Sequence, residues 1–364
     1  MTQPLRVLQV VRPALGGIRQ HVLSLLDGLD PDRITNSVAA PPAFVAELLR
    51  HPHLHATIPL DIATRLALPR DLLAARRLAG LVPHFADVVH AHGARAGWIC
   101  ALAHRQRPFP FVFTAHNLVS RDAVTRLAIP FLGYHAARVV AVSPSVADSL
   151  AACGLPRAKI EVIPNGIDLE RFGQASGGRS EARASFGLTD SAFVVATAAR
   201  LSREKGVDTL LHAASQRTGM TFLVAGEGPL LSTLKKQAPM NVRLLGRLED
   251  VLPLLGAADV FAVPSRREGQ GIAALEAMAA GIPIVASRVG GLADMLTDGE
   301  TALLVPPDDP DALAAALSRL KSDVRLRTRL SANAAPLVRE KYDVRVMLDS
   351  VTSLYESLAP APVV

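Results

Sequence analysis

The chain has 364 residues, 49% of them hydrophobic and 20% charged, with a formal net charge of +6. That length exceeds the reach of one hydrophobic core, so two domains are expected, and the composition excludes a disordered polar chain. Two cysteines, Cys100 and Cys153, without a CxxC or Cys/His spacing, exclude a disulfide framework and a cysteine-based metal site.

In chain order, short apolar runs alternate with helix-length amphipathic stretches, the pattern of parallel sheets covered on both faces. Predicted strands in the first half are Leu5–Val11, Asn36–Ala40, Asp87–Ala91, Phe111–Ala115, Val139–Val142 and Ile160–Ile163. Helices are predicted between them, among them Ile18–Leu29, Arg70–Leu81 and Pro144–Ala152. GQASGGRS, Gly173–Ser180, reads as a flexible linker. A second series follows, with strands Phe193–Ala198, Thr221–Ala225, Val242–Leu245, Val260–Val263, Ile284–Ala286 and Ala302–Val305. Its predicted helices include Val207–Ala214, Gly271–Ala279 and Asp309–Ser318. Domains are therefore set at 1–172 and 173–343. The last amphipathic segment, Val344–Leu358, either closes the second domain or crosses back to the first.

The N-terminal MTQPLRVLQVV lacks the apolar core and cleavage site of a secretory signal, and no window holds the ~18 apolar residues of a spanning helix. A cytoplasmic location is the expectation. Through Phe172 there are 18 Lys and Arg against 12 Asp and Glu, whereas the remainder carries 21 against 21. A basic first domain beside a neutral second one suits an anionic partner, or only a solvated basic surface. Arg65, Arg70, Arg76 and Arg77 stand among leucines as on an interfacial helix, which points to peripheral contact with an anionic membrane. No nucleic-acid partner is expected.

The chemistry concentrates in Pro264–Gly291, PSRREGQGIAALEAMAAGIPIVASRVGG. The loop Ser265–Gln270 follows a buried strand, at the end of a sheet where open α/β folds bind ligands. The helix that follows, with Gly269 and Gly271 at its start, offers unpaired N–H groups and a positive dipole end to a phosphate. Glu268 and Glu276 then lie about 12 Å apart along that axis. Carboxylates on either side of an anion suit hydroxyls rather than the anion itself, the layout of a sugar–diphosphate–ribose. In Ala196–Leu211, Arg200 and Lys205 leave a strand end and can neutralise a departing diphosphate.

Gly16 and Gly17 read equally as a tight turn or a backbone contact to ligand. His116 and His92, each at a strand end, read as structural or catalytic. Asp30-Pro31-Asp32 follows a helix beside proline and reads as a solvated turn, so no metal is expected. The absence of GxGxxG disfavours a nicotinamide oxidoreductase.

Taken together, GG (16–17), TAHN (114–117), VSPS (142–145), IPNGID (163–168), ARLSREKG (199–206), AGEGP (225–229), LLGRLEDV (244–251) and EGQGIAALE (268–276) resemble the family-4 glycosyltransferases. The resemblance runs in the family's order over nearly the whole chain. It implies a GT-B fold, two Rossmann-like α/β domains facing across a cleft, with the donor held mainly by the second and the acceptor mainly by the first. It also implies a final helix, Val344–Leu358, that returns to the first domain. The expected reaction moves a hexose-type sugar from a nucleotide-sugar, UDP favoured and GDP-mannose the alternative, with retention and without a metal or cofactor. The acceptor is a glycan, a lipid-linked sugar or a small hydroxyl compound.

By the same resemblance Arg200 and Lys205 hold the diphosphate, Glu276 the ribose, and Glu268 the transferred sugar. Gly16 and the amides of Gly269, Gln270, Gly271, Ile272 and Ala273 complete the phosphate site. His116 lies near the reacting sugar, and Gly246 to Leu248 edge the nucleobase. Gln270 stands where many relatives carry an aromatic residue. An epimerase or hydrolase of the same fold, or a carbohydrate-binding descendant without activity, are the competing readings. Intact Arg200, Lys205, Glu268 and Glu276 argue against the last.

Overall fold

The structure is a computed structural model that describes residues 3–12, 16–48, 53–63, 66–120 and 122–359. Within them the strands are β1 Leu5–Val11, β2 Ile34–Ala40, β3 Leu54–Pro59, β4 Val88–His92, β5 Phe111–Ala115, β6 Arg138–Ala141, β7 Ile160–Val162, β8 Val194–Ala198, β9 Thr221–Ala225, β10 Val242–Gly246, β11 Val260–Val263, β12 Ile284–Ser287 and β13 Leu303–Val305. They form two parallel sheets, ordered β3-β2-β1-β4-β5-β6-β7 and β10-β9-β8-β11-β12-β13. Each sheet grows outward in one direction and then in the other, so its chain order reverses once, between β1 and β4 or between β8 and β11. Two compact units result. The first runs through Gly166 and resumes at Val344, and the second spans Ile167–Asp343.

Strand side chains alternate between two covered faces. In β5, Phe111 and Phe113 join one apolar cluster of the first unit while Val112 joins another. In β11 the same alternation sends Phe261 and Val263 one way, Val260 and Ala262 the other. With both faces under helices, polar positions are not needed on either side, which is why β4, β5 and β11 are buried at every residue.

The helix Val344–Leu358 belongs to the first unit. Met347, Leu348, Val351, Leu354 and Tyr355 pack on Val7, Leu25, Val88, Val112 and Ile163. Gly28 on the helix Gly17–Gly28 leaves room for Leu348, because a Cβ there would fall 2.3 Å from its Cδ1.

The structure corrects three expectations. The boundary falls at Gly166/Ile167 rather than after Phe172. Gly173–Ser180 is not a linker: Leu169–Gly173 is helical, Gln174–Gly178 is a 3-10 turn, and Arg179–Ser185 is a helix. Phe172 and Ala175 are buried in the core of the second unit. Arg179 and Arg183 both pair with Asp259, at 2.6 and 2.7 Å, and Asp259 also accepts the amide of Val194 at 2.7 Å. Small residues allow close packing there, not slack. Third, β3 was missed. LHATIP is a half-exposed edge strand whose polar positions hide its period.

Asp30-Pro31-Asp32 is an exposed turn in which the Asp32 amide donates to Asp30 Oδ1 at 2.9 Å.

Candidate active site

In the second unit the reversal of strand order lies between β8 and β11, and the loops that leave the C-terminal ends of those two strands carry most of the predicted residues. Lys205 ends a short 3-10 turn, Arg203–Lys205, and its Nζ donates to Glu268 Oε2 at 2.6 Å. Ser265 Oγ donates to the same oxygen at 3.1 Å. Glu268 is almost buried while Lys205 keeps 29% of its side-chain surface. The helix Ile272–Ala279 begins beside them, with Gly271 at φ 96 as its N-cap and no side chain capping it. Its leading amides, those of Ile272 and Ala273, have no intrahelical acceptor by the geometry of any helix start. A small cavity lined by Thr197, Ala199, Lys205, Ser265, Glu268 and Ile272 joins these groups. A cation, a carboxylate and free amides therefore share one concavity. That arrangement suits a phosphate with hydroxyls attached.

Two glycines let neighbouring backbone press against this loop from either side. Gly206 sits at φ 61, and a Cβ there would fall 2.0 Å from the Pro264 carbonyl oxygen. Gly291 donates its amide to the Glu268 carbonyl at 3.1 Å, and a Cβ there would fall 2.0 Å from the Gly269 oxygen. Arg266 locks the two loops together. Its guanidinium grips both Asp208 oxygens at 2.8 Å and donates to the Arg203 carbonyl at 2.8 Å, and it also pairs with Asp308. The Arg266 amide donates to the Glu204 carbonyl at 2.8 Å. The Asp208 pair holds Arg266 above the usual guanidinium range and Asp208 below the usual carboxylate range. Sequence reasoning missed Arg266, Asp208 and Asp308. Their partners are far apart in the chain, so no local spacing announces them.

Glu276 lies farther along the helix, partly accessible yet ringed by protein. Burial pushes its carboxyl up to about 7; Arg171 acts against the shift and Asp250 adds to it. Those two neighbours pair with each other at 3.0 Å. A carboxylate poised this way gains from any ligand hydroxyl that hydrogen-bonds its ionised form. Arg200 is exposed in the loop after β8. Gly246, at φ 72, ends β10 and accepts the Gly226 amide at 2.7 Å. Leu248 packs on the same core as the helix Ile272–Ala279. Gln270 is buried, as is Gly269. A larger concavity of about 560 Å³ lies at the other end of this sheet, beside Arg179, Asp259 and Arg327, and holds none of these residues.

Gly16, Gly17 and His116 belong to the first unit. Gly16, at φ 70, is the N-cap of the helix Gly17–Gly28, and both glycines are exposed. His116 follows β5 and is 9% exposed. It is one of four clustered histidines: ring centroids lie 4.8 Å apart for His21 and His116, 5.7 Å for His92 and His116, and 4.1 Å for His90 and His92. Burial drives His21 down to about 4 and the other three well below the ordinary imidazole value, so all are neutral at physiological pH. His90 bridges Tyr355 Oη at 2.5 Å and Thr114 Oγ1 at 2.6 Å. His92 bonds Gln9, which in turn donates to Asn36 and Tyr355. The sequence marked His92 and His116 singly; that His21 joins them depends on how helix Gly17–Gly28 crosses the strand ends.

Two family models match, one described as Glycosyltransferase Family 4 over residues 15–171 and one as Glycosyl transferases group 1 over residues 192–323. The D-inositol 3-phosphate glycosyltransferase of Salinispora arenicola is 33% identical over 88% of this chain and 82% of its own. A GDP-mannose-dependent monoacylated alpha-(1-6)-phosphatidylinositol monomannoside mannosyltransferase of Corynebacterium glutamicum is 35% identical over 54% of this chain and 56% of its own. Among solved structures, Anabaena Alr3699/HepE in complex with UDP and glucose superposes with a TM-score of 0.87 at 22% identity, covering 97% of this chain and all of that one. With two parallel α/β units and this match along both, the chain belongs to the family-4 glycosyltransferases and has the GT-B fold.

Proposed function

We propose that this glycosyltransferase moves a hexose-type sugar from a nucleoside diphosphate, a UDP-sugar in preference to GDP-mannose, to a hydroxyl of a glycan, a lipid-linked sugar or a small polyol. The observation that carries the reading is the Lys205–Glu268 pair at the foot of the helix Ile272–Ala279, with Glu276 farther along that helix. In it, Lys205, Arg200 and the amides from Gly269 to Ala273 stabilise the diphosphate, and the reading calls on no divalent ion. Glu268 accepts from hydroxyls of the transferred sugar and Glu276 from the ribose. Gly246 and Leu248 border the base. The bond from the anomeric carbon to the diphosphate oxygen breaks as the acceptor oxygen bonds on the same face, and the acceptor's proton passes to the leaving phosphate. That route needs no side-chain base and retains configuration.

The UDP preference draws on the structural relative solved with UDP and glucose, and the GDP alternative on the mannosyltransferase relative. Thermal shift with UDP, GDP, ADP and their sugars tests the reading, because a ligand at a hundred times its Kd adds about 2.7 kcal/mol to stability. One nucleotide should stand out, and its effect should vanish in Lys205→Ala. No shift with any of them sinks the proposal. An NMR assignment of inverted product would remove the same-face step, and sugar release without acceptor would favour a hydrolase.

We also propose peripheral contact with an anionic membrane through the first unit. Leu68, Leu72 and Leu73 are more than half exposed on the helix Leu68–Phe85, interleaved with exposed Arg70, Arg76 and Arg77. Val124, Leu127 and Tyr134 are exposed on Ala123–His135, which packs on the same face of the sheet. Arg65 lies outside the described residues. No helix among the described residues is long and apolar enough to cross a membrane. Equal sedimentation with anionic and neutral vesicles would reject this contact.

A further inference from the structure

We propose that Arg266 is a positioning residue for the diphosphate site, one that sets where Lys205 and Glu268 stand without itself holding the donor. The inference rests on the proposed reading of that site. A guanidinium carries five N–H groups in one plane, and in Arg266 all five have acceptors. Nε–H pairs with Asp308 Oδ1. Nη1 donates to Asp208 Oδ1 and to the Arg203 carbonyl, each at 2.8 Å. Nη2 donates to Asp208 Oδ2 at 2.8 Å and to Thr209 Oγ1 at 3.3 Å. Thr209 Oγ1 donates in turn to Asp308 Oδ1 at 3.4 Å, which closes the ring. With every N–H engaged, Arg266 has none to spend on a phosphate.

The acceptors come from two other loops. Arg203 stands two residues before Lys205, and Asp208 and Thr209 open the helix Val207–Ser215 just after it. Asp308 lies between β13 and the helix Pro310–Ser322. Arg266 itself stands two residues before Glu268. Each partner of the Lys205–Glu268 pair is therefore two residues from a clamped group, and the two meet at 2.6 Å. The main chain repeats the tie, since the amides of Arg266 and Arg267 donate to the Glu204 carbonyl at 2.8 and 3.3 Å. Asp308 is the one non-glycine residue at positive φ among the described residues, at 59°. That backbone is unfavourable for a residue with a Cβ and is kept where the surroundings fix it, here through Arg266 and Thr209.

Isothermal titration with UDP, GDP and ADP, beside thermal melts, tests the role. Asp308→Gly removes the acceptor of Nε–H and relaxes the backbone at once, so folding is not at risk. Its melting temperature should hold or rise while nucleotide affinity falls by about threefold or more. A clamp that serves folding alone gives the reverse, a lower melting temperature with the wild-type affinity. Arg266→Gln should weaken binding by about tenfold, and Lys205→Ala should then cost less in that background than in the wild type, because Arg266 acts through Lys205. Lys321→Gln, which loses a bond to the Gly219 carbonyl elsewhere in the unit, should bind as the wild type does. Wild-type affinity in Asp308→Gly, or full additivity of Arg266→Gln and Lys205→Ala, overturns the inference while leaving the diphosphate site standing. A wild type that binds none of the three nucleotides removes the site itself, and the positioning role with it.

Discussion

Glu276→Gln isolates the titration of one carboxyl. In the folded chain burial holds that group near pKa 7, against 4.5 for an unperturbed glutamate. Below pH 4.5 both folded and unfolded states are protonated and the group has no effect. Between 4.5 and 7 the unfolded chain releases its proton while the folded chain keeps it, so stability falls as pH rises. Above 7 both are ionised and the full penalty, on the order of 3 kcal/mol, remains. Between pH 5 and pH 8 the expected loss is about 2.5 kcal/mol. Glutamine does not titrate, so thermal melts without ligand should show the variant level with the wild type near pH 5. At pH 8 it should melt roughly 5–10 °C higher, taking 2–4 °C per kcal/mol for a unit of this size. The same substitution removes a charged acceptor, so nucleotide affinity at pH 8 should drop about tenfold to a hundredfold. Melting curves that stay parallel from pH 5 to pH 8, or a glutamine variant less stable at pH 8, would refute the argument.

Arg200→Ala and Lys205→Ala should each slow transfer by on the order of a hundredfold in a steady-state assay with saturating acceptor, and rates near the wild type would remove both from the chemistry. Gly206→Ala meets the Pro264 oxygen and a left-handed backbone at once, so denaturant melts should show a loss of about 2 kcal/mol or more. Arg183→Ala leaves the largely buried Asp259 with the Val194 amide and the exposed Arg179 and should cost about 3 kcal/mol in denaturant melts, whereas a loss near zero would show that the anchor bears no weight.

The sheets were legible because parallel strands buried on both faces read as apolar runs, and β1, β5, β9 and β11 match the predicted limits to the residue. The loops after β8 and β11 were legible for a related reason: glycines and charges stand out against those runs. What was hidden depends on contacts distant in sequence. Arg266 looks like a solvated basic residue until Asp208 and Asp308 fold onto it. The segment 173–180 has the composition of a tether, and only the burial of Phe172 and Ala175 and the Asp259 anchor show that it is packed. The gathering of His21 with His92 and His116 required a helix to cross two strand ends, which no spacing encodes.

The C-terminal helix that covers β1, β4 and β5 has a consequence for synthesis. All of Ile167–Asp343 leaves the ribosome before Val344–Leu358 does, so Val7, Val88 and Val112 wait uncovered while another unit is made and folds. During that interval the nascent sheet presents a greasy surface to the cell, and a chain halted before Val344 keeps it. Chaperone capture should therefore track the length of the nascent chain, ending only when its last turns emerge.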